Sequence, residues 1–171
     1  LISENGEMFG EEYTLVAVAD YVLKHTPGNT VSNLSSSRAL KDVTEAYGKQ
    51  YQAAAVGECN VVAEMKRTHS VIGGEGNGGV IYPESHYGRD ALVGVGLFLS
   101  HYVAQSKKMT ELKSTYPPYF ISKNKMTLSP DMDVDKILEG LKERYATEKV
   151  TDIDGVKIDF AQGWVHLRKS N

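Results

Sequence analysis

Apolar positions along this chain switch repeatedly between helical and strand spacing. From Glu11, the segment EEYTLVAVADYVLKH puts Leu15, Val16, Ala19, Val22 and Leu23 on one face, which predicts an amphipathic helix ended by Pro27-Gly28. NTVSNL reads as a short strand, and Ser35 to Ser37 supply an N-cap for the helix SRALKDVTEAYG, which Gly48 stops. The pattern repeats with QYQAAAV as strand, GECNVVAEMKR as helix, SVIGG as strand, then a glycine loop and the β-type run GVIYPE. The next helix, GRDALVGVGLFLSHYVAQSKK, is apolar nearly all round in its middle and is expected to be the most buried.

This alternation predicts the α/β class, a parallel or mixed sheet with flanking helices, in which ligands bind outside the carboxyl ends of the strands. The pattern changes at STYPPYF, where Pro117 and Pro118 mark a linker. Beyond it an incomplete α+β unit is expected. It holds a strand near YFISKNKMTL and a helix in DVDKILEGLKERYA with Val134, Ile137, Leu138, Leu141 and Tyr145 on one face. Strands KVTDI, VKIDF and WVHLR follow, with Asp154-Gly155 as a hairpin turn between the first two. The opening LISENG reads as a strand entering an Asn5-Gly6 turn. The expected division is residues 1–10 as the end of a preceding domain, 11–115 as the α/β domain and 116–171 as the unfinished one, in a piece of a longer protein.

Composition narrows the function. At 171 residues and 41% hydrophobic content the chain is globular, and a net charge of -3 without a basic, aromatic-interleaved stripe argues against nucleic acid. Cys59 is the only cysteine, which leaves no intrachain disulfide and favours a reducing, cytoplasmic setting. The longest apolar run, Ala91 to Leu99, is far short of a membrane span, so no membrane partner is expected.

The glycine loop GGEGNGG, Gly73 to Gly79, carries the most chemistry. Gly74, Gly76 and Gly79 match the spacing of a dinucleotide fingerprint, but they lead into a β-type run, and Glu75 would repel phosphate. Two readings stay open: a plain turn with Glu75 and Asn77 solvated, or a clamp for a neutral polyol. In the second, the carboxylate of Glu75 accepts from adjacent hydroxyls beside the amide of Asn77. RKSN, from Arg168, is either a polar tail or an anion cradle. Ser35 to Ser37 could hold an anion, though capping suits them better. Asp131, Asp133 and Asp135 read as capping acids rather than a calcium loop, and the histidines lack ligand spacing.

VIGGEGNGGVIYPESHYGRDA closely resembles the sugar-binding loop and following helix of the α-D-phosphohexomutases, the phosphoglucomutase, phosphomannomutase and phosphoglucosamine mutase superfamily. DGVKIDFAQGWVHLRKSN resembles the segment that runs into that family's phosphate loop, and LISENGEMFGEEYTL looks like the segment after its metal loop. The resemblance implies domain 3 and part of domain 4 of a four-domain enzyme that interconverts hexose 1- and 6-phosphates. The route runs through a phosphoserine and a hexose 1,6-bisphosphate, which also serves as activator. It implies sugar contacts at Glu75 and Asn77 and phosphate contacts at Arg168, Ser170 and Asn171, with no nucleophile or metal ligand in this chain. Mg2+ would be bound by a domain lying elsewhere in the parent, and the partners would be the hexose phosphate substrate and the remaining domains. The fragment alone is expected to be inactive. Asn77 stands where many relatives carry Ser, Ala55 where some carry Lys, and the family's Thr-Glu-Pro does not follow Asn171. A phosphoglucosamine mutase and a non-catalytic carbohydrate-binding module are the alternatives.

Overall fold

Short runs rich in β-branched residues and glycine become strands where helices can cover both of their faces, and the first part of the chain folds this way. The computed structural model describes residues 1–129 and 132–169. They divide into two compact units, Leu1–Ile121 and Ser122–Asn171. The first runs through α1 (Glu11–His25), β1 (Thr30–Asn33), α2 (Ala39–Ala46), β2 (Tyr51–Ala54), α3 (Glu58–Thr68), β3 (Ile72–Glu75), β4 (Gly79–Ile81), α4 (Ala91–Gln105) and α5 (Met109–Ser114). Its sheet has the order β2-β1-β3-β4, with β1 parallel to both β2 and β3, and β4 antiparallel to β3. The expected mixed α/β sheet is therefore present.

Two apolar clusters cover the sheet. One joins Phe9, α1, α2 and α4 to Ile72 and Val80; the other sets Val61 and Met65 of α3 against Val31, Ala54 and Ile81. Neighbouring residues Val80 and Ile81 serve opposite clusters, as the two-residue period of a strand requires. The chain leaves β1 towards β2 and leaves β3 towards β4. The order thus reverses between β1 and β3, and α/β sheets place their ligands outside the carboxyl ends of strands at such a reversal.

Burial corrects the helix reading. α1 is the most enclosed helix: Tyr13, Ala17 and Val18 are buried along with the predicted face. α4 instead buries only Gly94, Phe98 and His101, and it exposes an apolar stripe of Leu92 (84%), Val95, Leu99 and Val103. Overall apolarity shows that a helix has apolar neighbours to find, but not on which sides this chain supplies them. A polar cluster braces α1 from outside the sheet: Asp20 accepts from Tyr47 at 2.7 Å and from Tyr116 at 3.0 Å, and the Tyr116 hydroxyl lies 2.8 Å from His101 Nε2.

The N-terminal turn forms, with Ile2 bridged to Met8 around Gly6 at φ 81. Its neighbour Phe9 lies in the first unit's core, edge-on to Phe98 at 5.1 Å. Within the segment expected as a linker, Pro117 and Tyr119 are tied to α1. The Tyr13 hydroxyl donates to Pro117 O at 2.6 Å and accepts from Tyr119 N at 2.7 Å, and the contact division falls after Ile121.

The second unit is α+β, as expected, with α6 (Val134–Arg144) and strands β5 (Lys149–Thr151), β6 (Val156–Asp159) and β7 (Trp164–Leu167) in an antiparallel meander. The strand expected near YFISKNKMTL is absent among the described residues, and Phe120 is 98% exposed. β-propensity without a pairing strand does not make one. α6 is shallower than its pattern implies: none of its described residues is fully buried, and Ile137 is exposed. Asp154-Gly155 ends a four-residue connection rather than a two-residue hairpin, with Gly155 at φ 67.

Candidate functional site

Polar residues gather at the carboxyl ends of β1 and β3. Asn33 ends β1 and Glu75 ends β3, and the Asn33 amide donates to Glu75 Oε1 at 3.2 Å. Ser36 donates to Asn33 Oδ1 at 2.7 Å and so fixes which end of that amide faces the carboxylate. On the other side Arg89 Nη1 approaches Glu75 Oε2 at 3.3 Å. Arg89 in turn donates from Nε to Glu58 Oε2 at 2.7 Å and from its backbone N to Glu58 Oε1 at 2.9 Å. The hydrogen bonds from Arg89 hold the Glu58 carboxyl below the usual range; Glu58, then Glu75, keep the guanidinium above its own. Glu75 is 5% exposed, so the reading of a solvated turn carboxylate does not hold.

Glu75 opens a β3–β4 hairpin whose loop is Gly76, Asn77 and Gly78, with Gly78 at φ 88 as three-residue loops require. Asn77 is exposed at the tip, and its Oδ1 accepts from Gly79 N at 3.1 Å. Its carbonyl therefore closes the turn. Bare backbone here makes room for the protein's own side chains. A Cβ on Gly76 would overlap Glu12 Oε1, and one on Gly79 would sit 2.7 Å from Arg89 Cδ. Glu12 also takes the place suggested for an anion at the serine run: Ser37 donates to Glu12 Oε2 from N at 3.0 Å and from Oγ at 2.9 Å. The expected serine N-cap is not formed: Arg38 is the N-cap residue of α2 and makes no side-chain cap, and Ser37 Oγ only accepts from Ala39 N at 3.2 Å just ahead of it. A cavity of about 260 Å3 flanks the hairpin, lined among others by Thr14, Asn77, Gly78, Val80 and Phe98, and Glu75 does not border it.

Arg168 follows β7 and is exposed; its Nη1 donates only weakly, at 3.4 Å, to Lys169 O. The ammonium beside it is committed, since Lys169 Nζ pairs with Asp135 Oδ2 at 2.7 Å in the first turn of α6. Asp133 caps that helix by accepting from Lys136 N at 3.2 Å, as expected. Ser170, Asn171 and Asp131 lie outside the described residues.

A family model described as phosphoglucomutase/phosphomannomutase, alpha/beta/alpha domain III, matches residues 10–119. The chain belongs to this family. A Thermococcus kodakarensis protein named phosphoglucomutase/phosphomannomutase is 33% identical across 99% of the chain, and a Sulfurisphaera tokodaii phosphoglucosamine/phosphogalactosamine mutase is 31% identical across 82%. The chain spans 37% and 31% of the length of those two relatives. Among solved structures, a phosphoglucomutase/phosphomannomutase family protein from Burkholderia thailandensis superposes with a TM-score of 0.80 at 22% identity. It covers 99% of this chain and is itself covered to 37%, and at that identity it shows the shared fold.

Within this phosphoglucomutase/phosphomannomutase domain, the residues missed from sequence are Asn33 and Arg89, which contact Glu75, Glu58, which anchors Arg89, and Glu12, which packs under the loop at Gly76. They lie up to 63 positions from the loop, Glu12 being the farthest from Glu75. The signal for Asn33 was its place at the end of a parallel strand beside the reversal of strand order. Arg89 and Glu58 left no local pattern. Among the described residues no group of three or more His, Cys, Asp or Glu side chains could hold a metal ion, and no helix is long and apolar enough to cross a membrane.

Proposed function

We propose that this chain supplies sugar recognition, and part of the phosphate recognition, of a hexose-phosphate mutase that interconverts hexose 1-phosphate and hexose 6-phosphate. The observation that carries this reading is the buried carboxylate of Glu75, held by an amide and a guanidinium at the carboxyl end of a strand where the strand order reverses. An ionised carboxylate has about four acceptor positions. Asn33 and Arg89 occupy one each, which leaves two for adjacent ring hydroxyls. Asn77, with its carbonyl turned inward, offers its amide N–H groups as donors, and the exposed guanidinium of Arg168 offers charge to a phosphate.

In the parent reaction a phosphoserine outside this chain passes its phosphoryl group to the free hydroxyl of the hexose phosphate. The resulting bisphosphate turns end for end and returns its other phosphoryl group to the serine. Mg2+, held by acidic residues outside this chain, would supply charge neutralisation. A clamp on ring hydroxyls keeps the sugar in place in either orientation, and positioning carries much of such a reaction. The relatives' names span glucose, mannose and amino-sugar substrates, so the sugar is decided by assay.

The test is turnover by the full-length parent on glucose 1-phosphate, mannose 1-phosphate and glucosamine 1-phosphate, with Mg2+ and a hexose 1,6-bisphosphate. Conversion of at least one to its 6-phosphate is expected. No turnover of any would replace the mutase reading with a carbohydrate-binding module.

A further inference from the structure

We propose that Arg89 is the positioning residue of the Glu75 clamp, with Glu58 as its second anchor and Gly79 as the gap that admits it. The inference rests on the reading of Glu75 as a hydroxyl acceptor. A carboxylate that is 5% exposed and receives one neutral hydrogen bond is short of polar partners, and one bond does not fix its plane. Arg89 supplies a second, charged contact from outside the hairpin.

Its backbone is held independently of its charge. Arg89 is bridged to Ile81 at the end of β4, the next residue's N donates to Val80 O at 2.9 Å, and Asp90 caps α4 by accepting from Leu92 N at 2.9 Å and Val93 N at 3.0 Å. From there the stem runs against Gly79, where a Cβ would lie 2.7 Å from Cδ and 3.3 Å from Cγ. The fork then points two ways, with Nε on Glu58 and Nη1 towards Glu75. A lysine donates from a single nitrogen and lacks the planar fork that spaces the two contacts apart. Glu58 thus stops the guanidinium from swinging away, and the guanidinium in turn leaves the outer acceptor positions of Glu75 free for a diol. Arg89 itself is 47% exposed and remains reachable at the rim.

The experiment is steady-state kinetics of the full-length parent on its preferred hexose phosphate, with thermal unfolding followed for every variant. Arg89→Ala should raise KM roughly tenfold, the usual worth of one charged hydrogen bond, while kcat falls less. Arg89→Lys should lie between it and the wild type, and Gly79→Ala should reproduce the Arg89→Ala pattern. The deciding measurement is the double variant: Glu75→Ala/Arg89→Ala should be no worse than Glu75→Ala alone, because Arg89 acts through Glu75. Losses that add, or an unchanged KM in Arg89→Ala beside an impaired Glu75→Ala, would overturn the positioning role and leave the hydroxyl clamp standing. An unimpaired Glu75→Ala would remove both. Should Arg89→Ala fail to fold, Arg89→Lys carries the test, and an unchanged KM there overturns the proposal.

Discussion

The hairpin at Glu75 and the segment at Arg168 are both short, polar and glycine-supported, yet they are built differently. Glu75 is buried and reached by side chains from β1 and from the lead into α4, while Glu12 of α1 packs under its loop. Arg168 is exposed, and its neighbour Lys169 is tied to α6 instead of pointing with it. The first arrangement spends its packing on aiming one carboxylate; the second presents charge with little to aim it. Hydroxyl recognition needs direction, whereas attraction of a phosphate tolerates a loose cation. The difference in construction fits the proposed division between hydroxyl and phosphate recognition.

If packing aims the hairpin, crowding its backbone should hurt most. Gly76→Ala should cost about 2–3 kcal/mol in urea unfolding, because the new methyl displaces the Glu12 carboxylate from its two Ser37 donors. A loss below about 0.5 kcal/mol would show the loop to be as loose as the Arg168 segment.

Acid should separate the two units next. His101 is almost fully buried, and burial pushes its pKa below the usual value against the pull of Asp20. The unfolded chain then binds this proton more readily than the folded one. Stability of the first unit should be level above about pH 6.5 and fall as pH drops below it, and His101→Gln should flatten that slope. A slope unchanged in His101→Gln would assign the acid sensitivity to other groups.

The smallest effect belongs to the exposed cation. Arg168→Ala should weaken binding of a hexose phosphate to the parent by about threefold to tenfold at low salt, and by less at 0.3 M, where screening already removes most of its pull. A loss that persists at high salt would mean that Arg168 is as firmly aimed as Glu75.

Much of the first unit was legible from spacing alone, because each strand and helix there has its partner within a few dozen residues. The runs NTVSNL and SVIGG became the parallel strands TVSN and IGGE, whose last residues, Asn33 and Glu75, meet. Three features were not legible. α4 reads as core from composition, yet Leu92 and Val103 face outward, since hydrophobicity records a need for partners and not their whereabouts. YFISKNKMTL has strand-like residues but no strand to pair with among the described residues. At the site, Glu75 could be named from its glycine loop, but its restraints could not. Glu58 and Arg89 are 31 residues apart and meet only through the fold. The glycines likewise suggested an approach for a ligand, and the structure fills much of that space with Glu12 and Arg89.

The most direct test of the account is kcat/KM of the full-length parent carrying Glu75→Ala, measured where its unfolding temperature confirms a folded protein. Removing the aimed acceptor leaves the Asn33 amide, one arm of Arg89 and the two proposed substrate hydroxyls without it. The account predicts a loss of about 2–3 kcal/mol in transition-state binding, close to a hundredfold in kcat/KM. An unchanged kcat/KM in a folded variant would contradict it and return the hairpin to a structural turn.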